Sequence, residues 1–308
     1  MRKISAKIGV TALFALALFA LSISQASAQK FKDKAEGPVT LEVDCDAGES
    51  IQAAVDSAVD GDTINVSGTC NEAITIDKNR IQLIGGPEAG PQGASIIGPA
   101  ETPAISVRGL NVRIVGFSAI TGGDGGITPR DDPRTRQEVG IWVRRGASAI
   151  ILNNTVKDSR WHGIRVRQGS SARIENTTVT NNGSNGIRVV DSSAADILGC
   201  TITFNQSDGI RVGRESAAVI DNTTSSDNGS DGIDVQENGG IRLSPTIFTN
   251  QTNTFERNRR FGIRCKTSST IQVQADQTFG IIPDQNNSGD TSIASGCELD
   301  VSGGVTFP

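Results

Sequence analysis

The chain has 308 residues, with 29 Lys or Arg against 34 Asp or Glu and a formal net charge of −5 at pH 7. Without the three cations of the N-terminal leader, 26 basic residues remain and the net charge is −8. That balance argues against nucleic acid or an anionic membrane surface as partner. Tyrosine is absent, which excludes any chemistry that depends on a phenol.

Residues 1–28 read as a secretory signal peptide. Arg2, Lys3 and Lys7 form a basic start, 10–21 an apolar stretch, and Ala26-Ser27-Ala28 a small-residue cleavage site. Cleavage before Gln29 would deliver 29–308 as one secreted or periplasmic domain. No later stretch approaches the roughly 18 apolar residues of a spanning helix, so membrane insertion is not expected. A strand is expected at 39–43. Ile51, Ala54, Val55 and Ala58 then carry the one convincing helical spacing, predicting a short helix over 49–59 as the lid of a cap at about 40–60. Short strands follow from Gly61-Asp62-Thr63-Ile64 through Val112-Arg113-Ile114-Val115. The pattern breaks at 122–139, where Asp131 and Asp132 sit in a charged run, and again at 245–261. These two excursions are natural places for function.

Between them, 140–243, one phrase recurs every 23 residues: Gly140-Ile141-Trp142-Val143, Gly163-Ile164-Arg165-Val166, Gly186-Ile187-Arg188-Val189, Gly209-Ile210-Arg211-Val212 and Gly232-Ile233-Asp234-Val235. Insertion-free repetition at this period is the mark of a solenoid. Apolar positions recur in pairs spaced by two, the strand period, as in Ala149 and Ile151 or Ala172 and Ile174. Each repeat is therefore a rung of three short strands, and like should stack on like about 4.8 Å apart in parallel sheets. The predicted architecture is an all-β, single-stranded, right-handed parallel β-helix of about ten rungs. Asn182, Asn205 and Asn228, headed by Ser159, form a column suited to an amide ladder at a turn. Residues 275–308 lose the period and should form the exit cap.

Ile51-Gln52-Ala53-Ala54-Val55, Gly61-Asp62-Thr63-Ile64, Ile74-Thr75-Ile76 and Ile81-Gln82-Leu83-Ile84-Gly85 resemble the N-terminal cap of the pectate-lyase-like (pectin-lyase-like) parallel β-helix superfamily. With the Gly-Ile-x-Val rungs, the likeness covers nearly all of 40–275. It implies the fold, while that fold hosts lyases, hydrolases, epimerases and non-enzymatic adhesins alike. Among the pairings that five cysteines allow, Cys45–Cys70 across the cap helix and Cys265–Cys297 across the exit region are the disulfides expected. Cys200 is left as a buried thiol.

Two residues after each glycine stand Trp142, Arg165, Arg188, Arg211, Asp234 and Arg264, all facing outward. Unit charges one rung apart repel by about 0.9 kcal/mol even in water, so the arginines call for anions. The position just before each glycine, His162, Asn185, Asp208 and Asp231, supplies some. An acidic polysaccharide laid along Trp142, Arg165, Arg188, Arg211, Asp231 and Asp234 would supply more, through two-pronged guanidinium–carboxylate contacts. Against this, solvent-facing strand positions carry long charged side chains for ordinary reasons, and Asn-Gly or Asp-Gly is common turn chemistry. A lyase or epimerase on the same polymer would need a base and a cation on the substrate carboxylate. His162, Arg188, Arg211 and Asp208 are the candidates, with Asp208 and Asp231 either holding Ca²⁺ or fixing the arginines. No other cofactor is called for. An adhesive or structural solenoid without small ligands is the third reading.

Overall fold

The computed structural model describes residues 37–86, 93–123, 137–243, 253–273, 286–288 and 291–301. The leader 1–28, the charged run containing Asp131 and Asp132, and 245–252 of the second excursion lie outside the described residues. Residues 40–308 form one compact unit.

Among the described residues the strands make three parallel sheets of eleven, nine and seven strands, with non-consecutive strands as neighbours except at the first pair, Thr40–Asp44 beside Thr63–Ser67. Pairing runs in the register the repeat predicts. Ile141 faces Ile164 and Arg165 faces Arg188; Ala172 faces Ala195 and Val179 faces Ile202. Across the second excursion the register resumes, with Ile233 opposite Ile263. The inward columns Ile164/Ile187/Ile210, Val166/Val189/Val212 and Ile174/Ile197/Ile220 are fully buried. Each buried Ile or Val contributes about 1.5–3 kcal/mol of burial, and stacking makes that contribution continuous from rung to rung.

The repeating glycine is explained by close approach. A Cβ on Gly163 would lie 2.5 Å from Val179 Cγ1 and 2.8 Å from the Gly186 carbonyl oxygen of the next rung. Only a residue without Cβ lets the turn and the following rung come this near.

The capping helix is Ile51–Ser57, here α1. It packs on strands Thr40–Asp44, Thr63–Ser67 and Ile74–Ile76 and buries Ile51 and Val55. Ser50 caps it by accepting the Ala53 N–H, and Glu72 accepts the N–H groups of Ile51 and Gln52 at 2.7 and 3.1 Å. A carboxylate at a helix N-terminus is well placed for the orphan amides there. Two more strands, Thr291–Ile293 and Glu298–Val301, extend the nine- and eleven-stranded sheets toward the C-terminus.

The amide ladder forms and is longer than its 23-residue signature. Backbone N–H groups of Ser159, Asn182, Asn205, Asn228 and Asn258 each donate to the next side-chain oxygen, ending on Asn286, at 2.8–3.1 Å. A second ladder runs through Asn154, Thr177, Cys200, Thr223 and Asn253, at another turn. Cys200 occupies a ladder position, its Sγ donating to the carbonyls of Ile174 and Leu198. Burial pushes its thiol up to about 12, so it behaves as an inert core donor. Ser225 breaks an apolar column without exposing a polar group, since its Oγ donates to the Gly232 carbonyl at 2.8 Å. Cys45–Cys70 and Cys265–Cys297 are disulfides.

Candidate functional site

The outer face of the nine-stranded sheet carries a groove of about 640 Å³. Its floor is the column Trp142, Arg165, Arg188, Arg211, stacked in register by Ile141–Val143, Ile164–Val166, Ile187–Val189 and Ile210–Val212. The turn before each strand supplies one wall, Trp161, Ser184 and Ser207; the turn after it supplies Arg167 and Arg214. Though they point outward, Trp142 and Arg165 are only 7% and 6% exposed, because the two walls close over them.

The arginines of this groove fall into two groups. Arg167, Arg211 and Arg214 have carboxylates: Asp191 for Arg167 at 3.0 Å, Asp234 for Arg211 at 2.7 Å, and Asp191 and Glu237 for Arg214 at 3.2 and 3.0 Å. Arg165 and Arg188 have no carboxylate ion pair among the described residues, and their buried Nε atoms have no hydrogen-bond partner. Arg165 instead lies over two indoles, 4.6 Å from the Trp161 ring centre and 5.2 Å from that of Trp142. Arg144 also sits over Trp142, at 4.4 Å. Such contacts contribute about 0.5–2 kcal/mol each and hold a guanidinium without consuming its in-plane donors.

Burial, then the charges of Arg167 and Arg188, brings Arg165 down to about 9. Burial, then Arg211 and Arg214, brings Arg188 down to about 10. For Arg211 burial acts downward too, but Asp208 and Asp234 outweigh it and the net shift is upward. The groove therefore holds two adjacent guanidiniums short of negative charge.

At its far end Asp208, Asp231 and Asp234 are all buried, and their oxygens lie within 4.8 Å of one another. Burial, and then Asp208, raises the Asp231 carboxyl above its usual range. An all-oxygen cluster of this kind suits a hard divalent cation, and Asp234 Oδ1 has no hydrogen-bond partner. The same three carboxylates are met by three cations of the chain itself. Arg211 and Lys266 share Asp234 Oδ2 at 2.7 and 3.1 Å, Arg211 reaches Asp208 at 3.4 Å, and Arg264 reaches Asp231 at 3.6 Å.

The structure thus brings Trp142, Arg165, Arg188 and Arg211 together in one groove, with Asp208, Asp231 and Asp234 beside Arg211 at one end. His162 is fully buried behind Arg188, its Nε2 3.4 Å from Arg188 Nη1. Trp161, Arg167, Arg214 and Lys266 escaped the sequence reading. They occupy fixed offsets from the repeating glycine, yet no residue type runs the length of their columns, so repetition did not mark them.

A family model described as a right handed beta helix region matches residues 139–304. Among solved structures, a pectate lyase superposes with a TM-score of 0.53 at 16% identity, covering 88% of this chain and 78% of that one. The enzymatically active domain of a tailspike protein from bacteriophage CBA120 superposes with a TM-score of 0.52 at 15% identity over 80% of this chain, which spans only 44% of that one. No curated protein sequence matches. At such identities the likeness is one of fold.

Proposed function

The chain belongs to the right-handed β-helix family, and from that premise we propose that it binds an acidic polysaccharide along the groove of the nine-stranded sheet. The observation that carries this reading is the pair Arg165 and Arg188, two largely buried guanidiniums on adjacent rungs without a carboxylate among the described residues. A charge taken from water and left uncompensated is costly, and an anion delivered by a ligand recovers that cost. Carboxylates of a sugar polymer fit because guanidinium presents planar paired donors. Ser184 and Ser207 on the wall offer hydroxyls to neutral parts of the chain. The two disulfides and the leader 1–28 speak for work outside the cytoplasm.

Retention on immobilised polygalacturonate tests the reading. Wild-type protein is expected to be retained at low salt and released as salt screens the contacts. Arg165→Met and Arg188→Met are expected to be retained far less, and a neutral polymer not to retain any form. Equal retention of all forms would overturn it.

One arrangement favours a second reading, elimination on the same polymer. The Lys266 amine and the Arg211 guanidinium converge on one Asp234 oxygen. Elimination next to a carboxylate requires a proton acceptor beside a carboxylate-neutralising cation; Lys266 would be that acceptor once its proton has passed to Asp234, with Arg211 as the cation. New unsaturated chain ends, followed by ultraviolet absorbance, would establish it; their absence with bound polymer would leave binding alone.

A further inference from the structure

His162 lies behind the groove and touches both sides of the Arg165–Arg188 slot. Its ring stacks on Trp161 with centroids 3.9 Å apart, and Trp161 in turn carries Arg165. On its other side Nε2 stands 3.4 Å from Arg188 Nη1. The backbone assigns the tautomer. The Asn185 N–H, whose direction the backbone fixes, points at Nδ1 from 3.3 Å, whereas the donor facing Nε2, Arg188 Nη1–H, sits on a side chain that can turn. Nδ1 therefore accepts, and in the neutral ring the proton sits on Nε2. Two donors, Nε2–H and Nη1–H, then face each other and cannot satisfy one another.

The surroundings keep the ring uncharged: burial first, then Arg188, Arg165 and Arg211, hold it well below its ordinary value. Asp208 and Glu138, the carboxylates on the rungs around it, each meet other groups. Asp208 accepts from Asn185 Nδ2 at 2.8 Å, and Glu138 on the preceding rung accepts the Glu101 N–H at 2.8 Å.

We propose that His162 is a positioning residue of the anion slot. By stacking on Trp161 it holds the indole that carries Arg165, and by presenting Arg188 with Nε2–H rather than an acceptor it leaves the Arg188 donors available to the ligand. An acceptor at this position would capture Arg188; a small residue would let Trp161 and Arg165 relax into the gap. This role rests on the anion-binding reading of the groove, which the same experiment tests separately.

The test has two arms. In the first, long-range proton–nitrogen NMR of the single histidine in the wild-type protein is followed from pH 5 to 8. The expected result is an Nε2–H ring that does not titrate; an Nδ1–H tautomer, or a midpoint near the ordinary value, would overturn the inference. The second arm measures affinity for a galacturonate hexamer. His162→Asn, which keeps an acceptor for the Asn185 amide, and His162→Phe, which keeps the stacked ring, are each expected to weaken binding about tenfold, the scale of one charged hydrogen bond. Wild-type affinity in both folded variants would refute a positioning role while leaving the anion-binding reading intact. Failure of the wild-type protein itself to bind would overturn both.

Discussion

Replacing Arg165 with methionine should strengthen the fold while abolishing binding. Arg165 is 6% exposed and has no carboxylate ion pair among the described residues. The fall of its pKa from the usual arginine range to about 9 corresponds to about 5 kcal/mol of unfavourable environment for the cation. The two indole contacts offset part of this, at about 0.5–2 kcal/mol each. Methionine fills much of the same volume without a charge, so a net gain of about 1–3 kcal/mol is expected, within the range found when buried charges give way to apolar side chains. Arg211→Met provides the contrast. It leaves buried Asp208 without an ion pair among the described residues and buried Asp234 with Lys266 alone, and should cost about 3–5 kcal/mol. Urea unfolding followed by circular dichroism reads both changes, and hexagalacturonate titration reads binding. If Arg165→Met proves as destabilising as Arg211→Met, Arg165 has a counter-charge of its own and the reasoning fails.

Acidification supplies a second check, because His162 is the one histidine in the chain. Its folded pKa is depressed, so the unfolded chain binds the extra proton. Stability is then full above about pH 6.5 and falls on acidification by about 1.4 kcal/mol per pH unit. The raised Asp231 carboxyl acts with the opposite sign at lower pH, so the slope is taken as the difference between wild type and His162→Phe; no difference would contradict the buried neutral ring. Asn205→Ala should cost about 2–5 kcal/mol, since it leaves the Asn182 amide and Nδ2 donors without their acceptor; a smaller loss by urea unfolding would mean the ladder is replaceable. Reduction of the two disulfides should cost about 2–4 kcal/mol each. In the unreduced, folded protein a thiol reagent should find Cys200 alone and react slowly; rapid labelling would refute its burial.

Much of the fold could be read from the sequence because stacking repeats the same environment on every rung. Ile164, Ile187 and Ile210 are alike because each meets the same neighbours one strand away, and the glycine recurs because each turn comes equally close to the next. The same logic found the stripe Arg165, Arg188 and Arg211. It could not divide that stripe, since which guanidinium meets a carboxylate depends on how long side chains cross between rungs. Asp191 serves Arg214 within its own column, one rung on, and Arg167 from the neighbouring column, and the second contact is one no single column reveals. Nor does strand alternation show that outward positions can be buried: Trp142, Arg165 and Asp234 face away from the core, yet groove walls and ion pairs cover them. The second ladder was hidden by its chemistry, because Asn154, Thr177, Cys200 and Thr223 perform one task with three kinds of polar group.

Arg165 and Arg188 have no carboxylate ion pair among the described residues, and the proposed function stands or falls with them. Calorimetric titration of hexagalacturonate at low and high ionic strength measures this most directly, using wild type, Arg165→Met, Arg188→Met and, as a control on another face, Arg173→Ala, whose side chain is already paired with Glu175. Salt-sensitive binding, lost in the first two variants and kept in the third, is the predicted result. Binding that ignores Arg165 and Arg188, or that falls equally with Arg173, would contradict it.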